Sequence, residues 1–158
     1  LSTKHGKKLV IYISMGFGNP YNEPWDVDIV MAWCYRLKRE YNASIISLSD
    51  TIGSSDPKSI RYLFSNLVPE MPKVEIGAHL HTTPDTWKEK VHAAYNSGCT
   101  RYDGALKGFG GCPMAADDLT GNMATENIIS YLQEHEELGI KKEPLSSAMK
   151  TALEIFPV

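Results

Sequence analysis

Short apolar runs alternate along this chain with longer stretches of helical periodicity. Leu9 to Ser14 (LVIYIS) reads as a buried strand, being short, rich in β-branched residues and preceded by charge. A Gly/Asn/Pro-rich loop follows from Gly16 to Pro24. Val27, Val30, Met31, Cys34 and Leu37 then recur at helical spacing, with Arg36, Lys38 and Arg39 near the C-terminal end of that helix. The unit repeats. Ser44 to Leu48 predicts a strand and Ser49 to Ser55 a loop. Asp56 is the expected N-cap of a second helix, with Pro57 at its first position and Ile60, Phe64 and Leu67 on one face. Val74 to His79 predicts a third strand. Thr83 and Pro84 open a third helix with Trp87, Val91, Ala94 and Tyr95 inward. Arg101 to Leu106 predicts a fourth strand, Lys107 to Asn122 a long glycine-rich loop, and Thr125 caps a fourth helix with Ile128, Ile129 and Leu132 inward. Leu145 to Phe156 suggests one more helix.

Four β–loop–α units in series imply an α/β fold with a parallel sheet, because each crossover helix returns the chain to the same end. Such a sheet is either open and doubly wound or part of a (β/α)8 barrel. A complete barrel takes about 250 residues, so four units make half of one. No linker or low-complexity segment divides residues 1–158, which read as a single domain. The chain begins with Leu1 and enters a strand almost at once, as a fragment does.

Composition narrows the function classes. Hydrophobic residues make up 42% and charged residues 22%, as in an ordinary soluble globular protein. A net charge of -3 offers no basic footprint for nucleic acid. No apolar run approaches the roughly 20 residues needed to cross a bilayer, and no signal peptide is visible. Cys34, Cys99 and Cys112 are odd in number and show no paired spacing, so a reduced, cytoplasmic location is expected.

The informative polar residues fall just after the C-terminal ends of the predicted strands, where active sites form in parallel α/β folds. They are Ser14, Asn19 and Tyr21 after the first, Asp50 after the second, His79 and His81 at the third, and Cys112 and Asn122 after the fourth. Residues i and i+2 of a strand point to the same side, so His79 and His81 are spaced to share a metal ion. A chance pair on a solvated strand end is the alternative. In Gly108-Phe109-Gly110-Gly111-Cys112-Pro113, glycines let the loop close and let backbone amides approach a ligand. A thiol there can move a proton or act as a nucleophile, unless the segment is only a tight turn. A phosphate cradle is disfavoured by the missing Lys-Ser/Thr ending. Asp50 can orient a metal-ligating histidine or bind a substrate hydroxyl, or simply start a turn. Cys34, on an apolar helix face, and Cys99, at a helix end, read as structural. His5, His92 and His135 read as surface residues.

These residues together resemble hydroxymethylglutaryl-CoA lyases. Tyr12-Ile13-Ser14 with Gly18, Pro20 and Tyr21 is similar to the fifth-strand segment of that family. Ser47-Leu48 and Asp50-Thr51-Ile52-Gly53 are similar to the sixth. His79-Leu80-His81 resembles its H-x-H metal pair on the seventh strand, and Gly108 to Pro113 its cysteine loop. Gly121-Asn122 with Ala124-Thr125-Glu126 resembles the segment that supplies an Asn metal ligand. The match runs in order from Tyr12 to Leu138, and the GGCP loop is its most specific part.

The resemblance implies strands five to eight of a (β/α)8 TIM barrel, the C-terminal half. It implies a divalent cation, Mg2+ or Mn2+, held by His79, His81 and Asn122. It implies an acyl-CoA substrate cleaved to acetyl-CoA and acetoacetate, the chemistry of leucine degradation. Cys112, His79 and Asp50 are the expected catalytic residues, and Tyr12, Ser14, Ser47, Gly110 and Gly111 the substrate-binding ones. In the family the first strand brings an Arg-Asp pair, the Asp being a metal ligand, and the next unit a glutamate. These would come from a missing N-terminal half-barrel. Relative to that family the spacing from Cys112 to Asn122 is one residue longer, and the segment carries Asp117-Asp118.

Two other readings compete. A condensing synthase of the isopropylmalate or citramalate type shares the barrel and the H-x-H pair, but the GGCP loop disfavours it. A stand-alone half-barrel would expose the apolar inner face of the sheet and pair with itself as a homo-oligomer without catalysis.

Overall fold

The computed structural model describes residues 2–112 and 120–156. Four strands, β1 (Ile11–Ile13), β2 (Ile45–Ser49), β3 (Glu75–His79) and β5 (Arg101–Asp103), form one parallel sheet in the order β1-β2-β3-β5. Helices α1 (Val27–Tyr41), α2 (Pro57–Glu70) and α3 (Trp87–Asn96) make the crossovers. Helix α4 (Thr125–Gln133) follows the fourth unit, and α5 (Lys142–Ile155) comes last. Sequential strands lie side by side because each helix is long enough to carry the chain back and no longer.

Helix starts follow local chemistry. Asp26 accepts from the amide of Ile29 (2.9 Å) and starts α1. Asp56 and Ser59 form a reciprocal capping box at α2, with Pro57 first in the helix. Helix α3 starts at Trp87, later than Thr83-Pro84 suggests. The Thr86 hydroxyl accepts from the Thr83 amide (3.0 Å), and a turn closes before the helix begins. In α4, Thr125 is the first helical residue, and the cap position belongs to Ala124.

Strands β1 and β5 are shorter than the segments expected from the sequence, Leu9 to Ser14 and Arg101 to Leu106. After Asp103 the chain leaves the sheet, because the Ala105 amide donates to Met123 O (3.0 Å) and the Thr125 amide to Ala105 O (2.9 Å). Residues Leu106–Gly108 then form a single 3-10 turn.

The two faces of the sheet differ in chemistry. In-register neighbours of a parallel sheet share a face. Ile11, Ile46 and Ile76, with Ile13, Leu48, Ala78 and Tyr102, face the helices and join a core with Val30, Cys34, Ile60, Phe64, Leu67 and Val91. The opposite face carries one row of Tyr12, Ser47, Gly77 and Arg101 and a second row of Ser49, His79 and Asp103. Of the strand residues on that face only Ile45 is aliphatic. The apolar inner face expected to drive self-pairing is therefore polar, which removes the physical reason for that pairing. Among the described residues no helix is long and apolar enough to cross a membrane.

Candidate metal-binding and thiol site

The histidine pair straddles a break in the chain. His79 ends β3, but His81 does not continue that strand. Leu80 is buried and its carbonyl accepts from the amide of Met123 (3.0 Å), which draws the chain out of the parallel ladder. His81 instead opens β4 (His81–Thr82), antiparallel to β6 (Gly121–Asn122). The expectation of two imidazoles on one strand is corrected to one on each of two adjoining strands. The rings still converge, with centroids 5.5 Å apart. The rings of His79 and Tyr12 form a T-shaped pair with centroids 5.7 Å apart.

Asn122 is the cross-strand partner of His81. The three expected metal ligands thus meet at the junction of two small sheets. The Nδ1 atoms of His79 and His81 are both buried without a hydrogen-bond partner. A buried polar atom left unpaired is costly, and two on adjoining imidazoles are the donor set that a cation satisfies. Burial, and next the charge of His79, hold the pKa of His81 below its ordinary 6.5. The charge of Asp50 and the amide of Asn122 oppose this more weakly. A ring kept neutral is the form that ligates a metal. Among the described residues no three His, Cys, Asp or Glu side chains cluster as a metal site, so the carboxylate of a full ligand set is not in this group.

The glycine loop is held against β6. The Asn122 amide donates to Gly110 O (3.1 Å), and Asn122 Nδ2 donates to Phe109 O (2.9 Å). Gly110 has a φ of +81°, and a Cβ there would lie 3.0 Å from Asn122 Nδ2. A Cβ on Gly111 would lie 3.0 Å from Thr120 O. Both glycines are required for the loop to lie this close. Cys112 follows, half-buried and free, two residues beyond the Gly110–Asn122 bond. Pro113, Asp117 and Asp118 lie outside the described residues.

Asp50 is fully buried and its carboxylate is already engaged. It accepts from the Ser55 amide (2.9 Å), the Ser55 hydroxyl (2.5 Å) and Lys90 Nζ (3.0 Å). Both of its oxygens are held by the protein, so the structure makes it a support for the site and not a group that touches substrate. Ser14 is exposed just past β1, and Tyr12 is exposed on the polar face. Ser47 is fully buried.

Asp103 went unrecognised in the sequence. Its Oδ2 accepts from Tyr12 Oη (3.0 Å) and Ser47 Oγ (3.1 Å), and its Oδ1 lies 3.5 Å from Arg101. Burial, and then the hydrogen bond to Asp103, raise the pKa of Tyr12. A cleft beside this group is lined by Tyr12, His79, Asp103, Gly104 and Thr125. Asp103 is an acid at a strand end, as Asp50 is, but the strand expected to run on to Leu106 hid where β5 stops. Lys90 was also missed. It lies three residues after Trp87 and four before Ala94, a lysine on the inward stripe of its helix.

Comparison with known proteins gives the family of the chain. The HMGL-like family model matches residues 6–153. The hydroxymethylglutaryl-CoA lyase YngG of Bacillus subtilis is 34% identical over 140 residues, covering 88% of this chain and 46% of the relative. The (R)-citramalyl-CoA lyase of Chloroflexus aurantiacus is 30% identical over 126 residues, 80% of this chain and 39% of the relative. The crystal structure of the Bacillus subtilis HMG-CoA lyase superposes with a TM-score of 0.85 at 32% identity, over 98% of this chain and 51% of that one. The chain thus spans about half the length of the relatives it matches.

Proposed function

The chain belongs to the HMGL-like family, and we propose that it is the C-terminal half, strands five to eight, of a (β/α)8 hydroxymethylglutaryl-CoA lyase. Its substrate is 3-hydroxy-3-methylglutaryl-CoA and its products are acetyl-CoA and acetoacetate, as in leucine degradation. The observation that carries this reading is the pair of buried, unpartnered Nδ1 atoms on His79 and His81 beside Asn122.

His79, His81 and Asn122 would hold a divalent cation, Mg2+ or Mn2+. When bound, such an ion supplies Lewis-acid charge to hydroxyl and carbonyl oxygens of the substrate. Imidazole with amide oxygen suits a cation of this hardness. The carboxylate ligand and the arginine expected from the family's first strand would come from an N-terminal half-barrel.

The chain's own residues then have separate tasks. A base takes the proton of the tertiary hydroxyl and the adjacent C–C bond breaks, releasing acetoacetate and leaving the electron pair as the enolate of acetyl-CoA. Cys112 donates a proton to that enolate carbon, and the thiolate left behind is reprotonated from solvent. Gly110 and Gly111 let the loop backbone approach the acyl-CoA, and closure of that loop excludes water. Tyr12 and Ser47, both fixed on Asp103, present a hydroxyl layer beneath His79. Ser14 stands at the end of the same strand as Tyr12. The free cysteines accord with a reducing, cytoplasmic setting.

The test is complementation. The chain is joined to the N-terminal half-barrel of a hydroxymethylglutaryl-CoA lyase and assayed for acetoacetate release with Mg2+ or Mn2+. Release that disappears in the Cys112→Ala and His81→Ala variants supports the reading. A folded, complemented protein that releases no acetoacetate rejects it.

A further inference from the structure

Lys90 is one of the few buried charged residues among those described, at 3% exposure. Its ammonium donates to three acceptors. These are Asp50 Oδ2 (3.0 Å), Gly53 O (3.1 Å) and His81 O (2.9 Å). An ammonium has three hydrogens, so every donor is used and none is left for a ligand. The acceptors come from two different segments, the loop after β2 and the start of β4. Asp50 in turn donates its backbone amide to His79 O (2.9 Å). The ion pair thus grips the carbonyls of both histidines, His79 through the Asp50 amide and His81 through Lys90.

Each histidine is also held by its own strand pairing, His79 opposite Ser49 and Asp103, and His81 opposite Asn122. β3 ends at His79 and β4 starts at His81, so no single ladder fixes the distance between the two rings. We propose that the buried Lys90–Asp50 pair is a positioning device that sets the spacing of His79 and His81. Burying an ion pair gives little net stability when the alternative is a well-packed apolar pair. Its place between the two candidate ligands gives it a geometric role instead. Groups that orient metal ligands typically matter by about 10- to 100-fold in metal affinity.

The proposal rests on the reading of His79 and His81 as metal ligands, and two readouts keep the two claims apart. The first is Mn2+ affinity of the 158-residue chain, followed by the electron paramagnetic resonance signal of the free ion. The second needs no metal: hydrogen exchange at the residue 50 amide, which donates to His79 O. Lys90→Met alone leaves a buried carboxylate uncompensated and is expected to lose stability. The double variant Asp50→Asn/Lys90→Met removes both charges and is expected to keep a near-native melting temperature.

In that double variant Mn2+ affinity falls about tenfold or more, and the residue 50 amide exchanges faster than in the native chain. A double variant that folds with native affinity and native exchange overturns the proposal. Should it fail to fold, Lys90→Arg takes its place. A planar guanidinium keeps the charge but cannot reproduce three divergent donors, so the fold is kept and Mn2+ affinity falls. Unchanged affinity and exchange in Lys90→Arg overturn the proposal equally. A native chain that binds no Mn2+ defeats the metal reading, and the exchange measurement then decides the positioning claim by itself.

Discussion

Asp103 Oδ2 accepts two hydrogen bonds at once, from Tyr12 Oη at 3.0 Å and from Ser47 Oγ at 3.1 Å. The three residues come from three strands, and the bonds cross the polar face of the sheet just below His79. Truncating the acceptor strands both donors, one of them on a fully buried serine. An unsatisfied buried group costs about 1–3 kcal/mol, against about 1 kcal/mol for a single ordinary bond. Asp103→Ala is therefore expected to destabilise the chain more than Tyr12→Phe or Ser47→Ala. Adding Ser47→Ala to Asp103→Ala should cost less than the single effects predict, since the bond is already gone. Urea unfolding of the four variants measures this. Strict additivity would show that the bonds do not form in solution.

The three cysteines should differ sharply in reactivity. Burial pushes the Cys34 and Cys99 thiols up to about 12, and both are essentially inaccessible. At pH 8 a thiol of that pKa is only about one part in ten thousand thiolate. Cys112 is half-buried in the glycine loop. Titration of the native chain with Ellman's reagent should label one thiol rapidly, none in Cys112→Ser, and three after unfolding in guanidinium. Two or more fast thiols in the native chain would mean that the helical layer opens readily.

Local chemistry made much of this fold legible. Asp56 followed by Pro57 marked the start of α2, and the 3.6-residue spacing of Ile60, Phe64 and Leu67 identified its core face. Tertiary contacts hid other features. His79-Leu80-His81 reads as continuous strand, because nothing local reveals that Leu80 O is taken by Met123, more than forty residues away. Asp103 was invisible because the end of β5 is set by pairing of Ala105 with residues 123–125, not by its own sequence. The inner face of the half-barrel was expected to be apolar, and β2 shows why it is not. Its alternate residues, Ser47 and Ser49, are buried but polar. Asp50 was expected among the catalytic residues, but Ser55 and Lys90, which its local sequence does not reveal as partners, hold both of its carboxylate oxygens.

Gly110 should tolerate no side chain. Its φ of +81° costs an L-residue about 1–2 kcal/mol, and a Cβ would press against Asn122 Nδ2 at 3.0 Å. Gly110→Ala is expected to lower the melting temperature and to weaken Mn2+ binding by moving the Asn122 amide. Gly139→Ala is the control, since a Cβ there meets nothing within 4 Å. Equal effects of the two substitutions on Mn2+ binding would separate the glycine loop from the metal site.

The pH dependence of stability should carry the signature of His81. Its folded pKa lies below the ordinary 6.5, chiefly through burial and then through the charge of His79. As pH falls, the unfolded chain takes up this proton first, so protonation pulls the equilibrium toward unfolding. The stabilising contribution is complete above about pH 6.5 and is lost progressively as pH drops toward the depressed folded value. One such group gives a slope of at most about 1.4 kcal/mol per pH unit. Lys90 bears on the backbone of His81, and Asp50 and His79 bear on its ring. Asp50, ion-paired with Lys90 at 3.0 Å, favours the charged ring, but burial outweighs it. Unfolding free energy measured from pH 7.5 to 5.0 in metal-free buffer should therefore fall more steeply for the native chain than for His81→Gln. Parallel curves would mean that the ring titrates as though exposed, and that no neutral imidazole is held ready for a cation.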